Sequence, residues 1–337
     1  MARAQPVPHM RTATPFIAAD VGGTHARLGL VRGQAHAGGG EVSVLEYAKY
    51  PCADYTDLAD IVRRFIDEKV GAPVTHCALA CAGYAVDGEV INTNLPWPVN
   101  LEALRQATGL DSLSLINDFE AVAYATRFID PARTSLISQC EQGDIDGPVI
   151  VVGPGTGLGS AVCIPRPDGP MVLATEAGQI NLAPVTACER ELLEAMADGE
   201  HYVSYERVLS GPGLLAVYRA LAVQAGTTPA LTAPEQVTEA ALAGDDACAR
   251  QALDTFCGLL GSFVGNLAML YGARGGVFLA GGIVPQIRHF LQRSAFVERF
   301  LDKGDMRAFL ERVPVRVMEH GQLGVIGAAG WHLEHSR

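Results

Sequence analysis

The chain has 337 residues, 49% apolar and 18% charged, a globular composition with enough length for two domains and a large core. Its net charge of -12 argues against nucleic acid or an anionic membrane surface as a partner. Eight scattered cysteines, none in a Cys-x-x-Cys pair, predict buried thiols in a reducing cytoplasm, without disulfides or structural zinc. Residues 1–15 lack the apolar stretch of a signal peptide and are expected to form a flexible tail.

The first predicted element is a hairpin over residues 16–31. An apolar strand ends at Asp20, Gly22 and Gly23 permit a turn, and a second strand carries Leu28. Successive N–H groups in such a turn form a concave anion site. A Walker A loop is excluded because no lysine follows a glycine, and a dinucleotide fingerprint because a strand follows the turn. A structural hairpin without a ligand remains the alternative for this motif alone.

The next elements are a helix near 56–69, a buried strand at 75–82, and a strand and loop at 90–100. The loop contains Asn94, which could line a polar ligand site, although surface packing explains it equally well.

A strand then runs into a helix within residues 114–123, with Asn117 and Asp118 at the joint. Such a corner lies at the carboxyl end of a sheet strand, where α/β folds bind their ligands. The alternative is local: Asn117 caps the helix, Glu120 completes a capping box, and Asp118 favours the positive first turn.

The strand, turn and strand pattern recurs at residues 149–164, with Gly155, Thr156 and Gly157 in the turn. The two hairpins begin 133 residues apart, at Phe16 and Val149. Two copies of this element predict two similar domains, each offering a phosphate-holding turn to a shared cleft.

Glu176 and Glu206 could accept hydrogen bonds from adjacent sugar hydroxyls, although Glu206 could also be a helix-surface charge paired with Arg207. A helix is predicted near 187–197. Gly281 and Gly282 end a buried strand before a helix, where they would let a flat ring lie on the backbone or simply allow a close corner.

Residues 255–273 carry no charge and are long enough on paper to span a bilayer. Polar residues, glycines and the lack of basic flanks favour a core helix instead. Phe256, Leu260, Phe263, Leu267 and Leu270 recur at helical spacing, and two glycines, Gly261 and Gly265, would allow close packing.

In this order the elements resemble the bacterial glucokinases of the hexokinase/actin-like ATPase superfamily, from Phe16 to the C-terminus. Besides the hairpins and the corner, the resemblance rests on residues 281–283 and on residues 206–213, a segment typical of the zinc-free proteobacterial type. It implies a two-domain α/β actin-like ATPase (ribonuclease H-like) fold, with a mixed sheet flanked by helices in each domain and a cleft between them. The expected small domain is 16–128 plus 322–337, and the large domain is 129–321.

The resemblance also implies ATP-dependent phosphorylation of glucose at its 6-hydroxyl, with Mg²⁺. Asp118 would act as the general base, and Asp20 would hold the metal. Domain closure would exclude water. The implied sugar-binding residues are Asn94, Asn117, Asp118, Glu176, Gln179 and Glu206. The implied nucleotide-binding residues are Ala19, Asp20, Val21, Gly22, Gly23, Thr24, Gly155, Thr156, Gly157, Gly281 and Gly282.

The sequence departs from the family pattern at two positions. Gln179 replaces the usual histidine, which puts the preference for glucose in question, and His25 replaces an asparagine at a position expected to point away from the phosphates. A kinase of another hexose, mannose or an N-acetylhexosamine, therefore stays open, as does a non-catalytic sugar sensor. A dehydrogenase is excluded by the missing helix after each turn. The oligomeric state, a homodimer included, is also open.

Overall fold

The computed structural model describes residues 14–36, 39–86, 89–91, 95–197, 199, 201–319 and 321–336. Within this range the chain forms two compact units. Unit 1 contains the residues up to Ile129 together with those from Gln322 onward, and unit 2 is Asp130–Gly321. Of the expected tail, residues 1–13 lie outside the described residues.

Unit 1 is built on a five-stranded mixed sheet. Its strands lie in the order β3 (Gly39–Pro51), β2 (His25–His36), β1 (Phe16–Val21), β4 (His76–Cys81) and β8 (Ser112–Asn117). Of these, β1, β4 and β8 are parallel, and β2 and β3 are antiparallel. A smaller antiparallel sheet is formed by β5, β6 and β7. The elements are β1 (Phe16–Val21), β2 (His25–His36), β3 (Gly39–Pro51), α1 (Leu58–Lys69), β4 (His76–Cys81), β5 (Tyr84–Val86), β6 (Glu89–Ile91), β7 (Val99–Asn100), α2 (Leu101–Thr108), β8 (Ser112–Asn117) and α3 (Asp118–Ala125).

Unit 2 repeats this plan with one more strand at the edge. Its strands lie in the order β12 (Met171–Thr175), β11 (Leu158–Ile164), β10 (Val149–Pro154), β13 (Gly276–Leu279), β14 (Val315–Met318) and β9 (Thr134–Leu136), with β10, β13 and β14 parallel. The elements are β9 (Thr134–Leu136), β10 (Val149–Pro154), β11 (Leu158–Ile164), β12 (Met171–Thr175), α4 (Ala187–Ala197), α5 (Gly211–Gln224), α6 (Pro234–Ala243), α7 (Ala247–Tyr271), β13 (Gly276–Leu279), α8 (Arg288–Leu291), α9 (Phe296–Leu301), α10 (Arg307–Leu310) and β14 (Val315–Met318); α11 (Leu323–His335) then returns to unit 1.

The local patterns predict most of these elements correctly. The helix expected near 56–69 begins at Leu58, because the Asp57 side chain caps it by accepting from the Asp60 N–H at 2.8 Å. The helix expected near 187–197 is α4. After Gly282, the first α-helix begins only at Arg288, so the predicted strand–helix corner is a longer turn.

The long apolar segment forms α7, the one helix of the described residues with the length and composition to cross a membrane. Its apolar window is 72% buried inside the protein, which confirms the predicted core helix. Gly261 and Gly265 bring α9 close, because a Cβ atom there would lie 2.2 Å from the Phe296 oxygen and 2.7 Å from the Phe300 oxygen. Leu270 was wrongly expected in the buried stripe, since it is 71% exposed near the helix end.

Helix α11 packs directly on the sheet and on α3 of unit 1. A Cβ atom on Gly324 would lie 2.4 Å from Asp20 Cγ, and one on Gly327 would overlap the Ala121 backbone oxygen. Glycine is therefore required at both positions for this approach. Near the other end of α11, Glu334 forms a shielded ion pair with Arg127 at 3.1 Å.

Candidate active site

The first glycine turn, residues 22–24, connects β1 and β2. The Gly22 N–H donates to the His25 oxygen at 3.1 Å, which closes the turn. Cys52 stabilises the turn through two contacts: its N–H donates to the Thr24 oxygen at 2.9 Å, and its thiol lies 3.4 Å from the Gly22 oxygen. Thr24 is exposed, and its hydroxyl lies 3.2 Å from Nδ1 of His25. The turn is thus held in shape while its hydroxyl faces outward.

Asp20 precedes this turn and pairs with Arg27 across the hairpin, with 3.2 Å between the two side chains. Burial raises the pKa of Asp20, and the Arg27 charge and hydrogen bond oppose that rise. Sequence reasoning did not identify Arg27, although a three-residue turn at 22–24 places it opposite Asp20. The two neighbours of Asp20, Ala19 and Val21, are fully buried in the sheet and can offer a ligand no side chain.

The sheet register brings the acidic residues of unit 1 to one edge. Val21 of β1 pairs with Cys81 of β4, and Cys81 pairs with Asn117 of β8. Asp20 comes one residue before this level and Asp118 one residue after it. Because the three strands are parallel, both carboxylates belong to the carboxyl edge of the sheet, where α/β folds bind ligands.

Asn117 caps α3, as the local alternative predicted. Its Oδ1 accepts from the N–H groups of Phe119 at 3.0 Å and Glu120 at 3.1 Å. The Asn117 N–H in turn donates to the Glu120 carboxylate. Burial raises the pKa of Glu120, and the His335 charge and this hydrogen bond only partly oppose that rise. The capping box therefore uses the amide oxygen of Asn117, and its NH₂ group is the part directed to other acceptors, such as the Gly83 oxygen at 3.5 Å.

Asp118 is the first residue of α3 and is half-buried. Its Oδ1 accepts from the Phe119 N–H at 2.9 Å. The positive end of the helix stabilises a carboxylate at this position. The cap and the acid are therefore compatible: the structure that orients Asn117 also holds Asp118 at the sheet edge.

The second glycine turn, residues 155–157, connects β10 and β11. The Gly155 N–H donates to the Gly157 oxygen at 2.8 Å, and the Gly155 oxygen accepts from the Gly211 N–H at the start of α5, also at 2.8 Å. The next N–H group, that of Leu158, donates to Oε2 of Glu206 at 2.8 Å. Both ends of the turn are thus tied to the segment 206–211.

Glu206 also contacts the predicted sugar-binding segment. Its Oε1 accepts from Nε2 of Gln179 at 3.0 Å, so the carboxylate is not merely a surface charge. The Tyr202 hydroxyl donates to the Gln179 backbone oxygen, and a Cβ atom on Gly178 would lie 2.3 Å from the Leu158 oxygen. Tyr202, which sequence reasoning missed, carried no local signal of this role.

Glu176 directly precedes the 3-10 helix Ala177–Gln179, and its side chain is exposed. The chain therefore places Glu176 close to Gln179, on the same segment.

The two predicted adenosine glycines differ in their surroundings. Gly281 has φ +84°, and a Cβ atom there would lie 2.3 Å from the Pro154 oxygen, so packing alone requires glycine. A Cβ atom on Gly282 would meet nothing within 4 Å. Packing thus explains the glycine at 281 but not the one at 282, and both residues are exposed, so either offers open backbone to a flat ring.

A cavity of about 640 Å³ adjoins the second turn. It lies along α4 and α5, and its lining includes Thr156, Glu206 and two arginines, Arg207 and Arg219. A larger cavity of about 890 Å³ is lined in part by Arg274, which lies before the amino end of β13. Gly281, in contrast, follows the carboxyl end of that strand. Because ligands bind at the carboxyl ends of parallel strands, the smaller cavity fits the predicted chemistry better.

The structure thus gathers the predicted residues into two groups. The unit 1 site comprises Asp20, the turn 22–24, Asn117 and Asp118. The unit 2 site comprises residues 155–158, Glu176, Gln179 and Glu206. Asn94 lies outside the described residues. Among those that are described, no cluster of three or more acidic, histidine or cysteine side chains could hold a metal on its own.

Each unit combines a mixed sheet, a glycine hairpin and polar residues at the carboxyl edge of the parallel strands, which defines a two-domain α/β protein of the actin-like ATPase fold. The sequence model of the family described as Glucokinase matches residues 17–335, and the chain belongs to this family. It is therefore an enzyme that phosphorylates a sugar.

Individual relatives agree with this assignment. The chain is 47% identical over 319 residues to a glucokinase-like protein of Xylella fastidiosa (strain 9a5c), covering 94% of each chain. A crystal structure of glucokinase from an Antarctic psychrotroph is similar with a TM-score of 0.82 and 35% identity, over 94% of this chain and 98% of that one. A ROK family glucokinase from Streptomyces griseus, in complex with glucose and AMPPNP, shares the fold with a TM-score of 0.65 and 20% identity, over 94% and 99%.

Proposed function

We propose that the enzyme transfers the γ-phosphoryl group of ATP to the 6-hydroxyl of glucose. The observation that carries the proposal is the Glu206 carboxylate, which contacts both Leu158, directly after the second glycine turn, and Gln179. Phosphoryl transfer requires a sugar hydroxyl and a phosphate to be held side by side. Glu206 contacts both the residue after the proposed phosphate-binding turn and the proposed sugar-binding segment. The AMPPNP and glucose bound to the Streptomyces relative support ATP as donor and a hexose as acceptor.

Asp118 is the general base of the proposed reaction. It accepts the proton of the sugar hydroxyl as the oxygen attacks the γ-phosphorus and ADP leaves. Its position at the start of α3 keeps a carboxylate near the carboxyl edge of the sheet. The Asn117 NH₂ group, oriented by the capping bonds of its oxygen, donates to a neighbouring hydroxyl of the sugar.

The glycine turns bind the phosphates through backbone and hydroxyl groups. In the second turn the N–H groups of Gly155 and Leu158 are already used, so those of Thr156 and Gly157 and the Thr156 hydroxyl are the proposed donors. In the first turn the exposed Thr24 hydroxyl has the corresponding role. Arg207 and Arg219 add positive charge to the adjoining cavity.

Asp20 fits a magnesium ion that arrives with the nucleotide. Mg²⁺ is commonly bound by one or two carboxylates together with phosphate oxygens and water, so a single acid suffices. Burial raises the pKa of Asp20, and a nearby cation would favour its charged form. When bound, the ion neutralises charge on the transferred group.

Glu176, Gln179 and Glu206 accept or donate hydrogen bonds to the remaining sugar hydroxyls. The Gln179 NH₂ group donates to Glu206, which leaves the Gln179 amide oxygen as an acceptor for the sugar. Unlike the histidine of other family members, this amide cannot carry a charge.

The enzyme is also proposed to work in the reducing cytoplasm. Cys77 and Cys257 are buried free thiols, and burial raises the pKa of each to about 12. Such thiols pack as small apolar groups and suit a compartment in which disulfides are rare.

The proposal is tested by ADP production from ATP against a hexose panel, with Mg²⁺ present and absent. Fastest turnover on glucose, dependent on Mg²⁺, is the expected result. Fastest turnover on mannose or an N-acetylhexosamine would replace glucose as the substrate. Sugar binding without any ADP production would establish a sugar sensor instead.

The Gln179→His variant belongs in the same panel. If the neutral amide sets the sugar preference, this variant should change the ratio of the kcat/KM values of two hexoses. A change of both kcat/KM values by the same factor would leave the preference unaltered.

A further inference from the structure

Glu206 spans the two parts of the unit 2 site. One carboxylate oxygen accepts from the Gln179 side chain at 3.0 Å, and the other accepts from the Leu158 backbone at 2.8 Å. Leu158 is the first residue of β11 after the phosphate-binding turn, and Gln179 belongs to the sugar-binding segment. A single side chain therefore connects the two binding regions.

The surrounding structure brings this carboxylate next to the turn, although its side chain is only partly buried. Glu206 lies in the 3-10 helix Tyr205–Arg207, whose Tyr205 is 1% exposed and packs on Phe263. On the opposite side, Gly157 leaves room for it, because a Cβ atom there would lie 2.7 Å from Oε2 of Glu206. The close approach of the carboxylate to the turn thus depends on the glycine as well as on the acid.

The two ends of the turn are held in different ways. Gly155 is tied by a backbone bond from Gly211, which does not involve any sugar-binding side chain. Leu158 is tied by Glu206, which a bound sugar would also contact under the proposed function. Only the Leu158 end of the turn can therefore respond to the sugar.

We propose that Glu206 is a positioning residue that couples the two substrates: by holding the Leu158 N–H while it binds the sugar, it makes sugar and nucleotide tighten each other's binding. This inference rests on the proposed function, because it assumes that the turn binds phosphate and that residues 176–206 bind a hexose.

The coupling follows from conformational entropy. A sugar that donates both to Glu206 and to the Gln179 amide oxygen immobilises both side chains and, through Glu206, the Leu158 end of the turn. A nucleotide that binds afterwards finds the turn already ordered, so its affinity is higher. Linkage requires that the nucleotide strengthen sugar binding by the same factor, and such factors are typically about 5–150-fold.

Two variants separate the length of the side chain from its charge. Glu206→Gln keeps the length, and its amide can still accept from Leu158 while its NH₂ group donates to a flipped Gln179 amide. Glu206→Asp keeps the charge but is one methylene shorter, so it cannot reach Leu158 and Gln179 together. Glu176→Ala is the matched comparison, because Glu176 belongs to the sugar segment and, among the described residues, no hydrogen bond joins its side chain to the turn.

The measurement is calorimetric binding of AMPPNP with Mg²⁺ to the full chain, without sugar and with saturating glucose. In the unaltered protein, glucose should tighten AMPPNP binding about tenfold. Glu206→Gln should retain this factor. Glu206→Asp should weaken sugar-free AMPPNP binding about tenfold and show a glucose factor near one, whereas Glu176→Ala should leave the sugar-free affinity unchanged.

The possible failures are distinguishable. If the unaltered chain binds neither AMPPNP nor a hexose, the proposed function is wrong, and the coupling, which assumes that function, is wrong as well. If it binds both, but glucose has no effect on AMPPNP or Glu206→Asp keeps the full effect, only the coupling is overturned. If Glu206→Asp unfolds early on heating, the test passes to Gly157→Ala, which displaces the carboxylate without removing it. A glucose factor near one in Gly157→Ala supports the coupling, and the full glucose factor overturns it.

Discussion

The two glycine hairpins share a topology but differ in where their carboxylate comes from. In unit 1 the acid is Asp20, which lies in the hairpin and pairs with Arg27 on the opposite strand. The residue at the corresponding place in unit 2 is Gly153, and the acid that reaches that turn is Glu206, 48 residues beyond Leu158 in the chain.

The support behind each turn differs in the same way. Cys52 supports the first turn with its backbone and thiol, and none of these bonds involves a predicted sugar-binding side chain. The second turn is supported by Glu206, which also contacts Gln179. The two proposals therefore give the same backbone element a metal-binding role in one unit and a substrate-coupling role in the other, and the difference lies in which side chain touches the turn.

The largest expected effect is at the unit 1 site. Asp118→Asn should lower kcat by about 10²–10⁴-fold, because the amide cannot accept the hydroxyl proton, while sugar binding persists. Glu120→Gln is the control: it removes a carboxylate from the same helix turn but can still complete the capping box. Unchanged turnover in Asp118→Asn would remove that residue from the role of base.

A smaller loss is expected from Asp20→Asn, which should lower kcat/KM at limiting Mg²⁺ by at least roughly tenfold and raise the Mg²⁺ concentration for half-maximal rate. Because burial raises the pKa of Asp20, the neutral amide should not lower the melting temperature. Asp60→Asn, which removes a half-buried acid in the first turn of α1, is the control. An identical Mg²⁺ dependence in the Asp20 and Asp60 variants would contradict the metal role.

Two alanine substitutions in the second turn test the role of Glu206. Gly157→Ala places a Cβ atom 2.7 Å from the Glu206 carboxylate, whereas Gly155→Ala meets nothing within 4 Å. Displacing a charge-assisted hydrogen bond worth about 1.5–3 kcal/mol should raise the KM for ATP about tenfold or more in Gly157→Ala. Gly155→Ala should stay within about twofold. Equal KM values in the two variants would argue against the Glu206 contact.

The smallest effect concerns the stability of unit 1 in acid. His76 of β4 stacks on His332 of α11 with 3.8 Å between ring centroids. Burial, together with the His332 charge, lowers the pKa of His76 to about 4, and burial lowers that of His332. In the unfolded chain each histidine has the ordinary pKa of 6.5, so the unfolded state takes up protons at a higher pH than the folded state does. The contribution of this pair to the free energy of unfolding is therefore fully present above pH 6.5 and is lost as the pH falls toward 4.

After allowance for solvent screening of the half-buried rings, the loss should be about 1–2 kcal/mol. Both tryptophans, Trp97 and Trp331, lie in unit 1, so tryptophan fluorescence during thermal unfolding reports on this unit. His332→Phe keeps the aromatic stack but removes one titrating ring, and should flatten the decline between pH 6.5 and 4. The same decline of stability with falling pH in the unaltered protein and in His332→Phe would contradict the assignment of this decline to the histidine pair.

Local sequence patterns were enough to predict the hairpins, the strand–helix corner and the core helix α7. Each of these depends on neighbours a few residues apart: glycines between apolar runs, Asn117 with Glu120, and the spacing of Phe256 and Phe263. The corner also shows that a local explanation and a functional one can both hold, since Asn117 caps α3 and the same bonds orient its NH₂ group.

Contacts between distant segments had no such signal. Glu206 could be proposed as a sugar ligand, but nothing in the sequence indicated that it holds the Leu158 N–H. The exposed end of α7 was missed for the same reason, because Leu270 continues the apolar spacing beyond the point where a neighbouring element covers it. The sugar preference and the roles of the site residues stay predictions.

By itself the sequence determined the repeated hairpin, the family resemblance and the types of side chain available for phosphoryl transfer, because these depend on local backbone preference and on residue identity. Tertiary structure alone decided which acid touches which turn, that Arg27 pairs with Asp20 and that α11 packs on Asp20. Strand register and helix packing set these contacts, and both are determined by the burial of the whole core and not by any single segment.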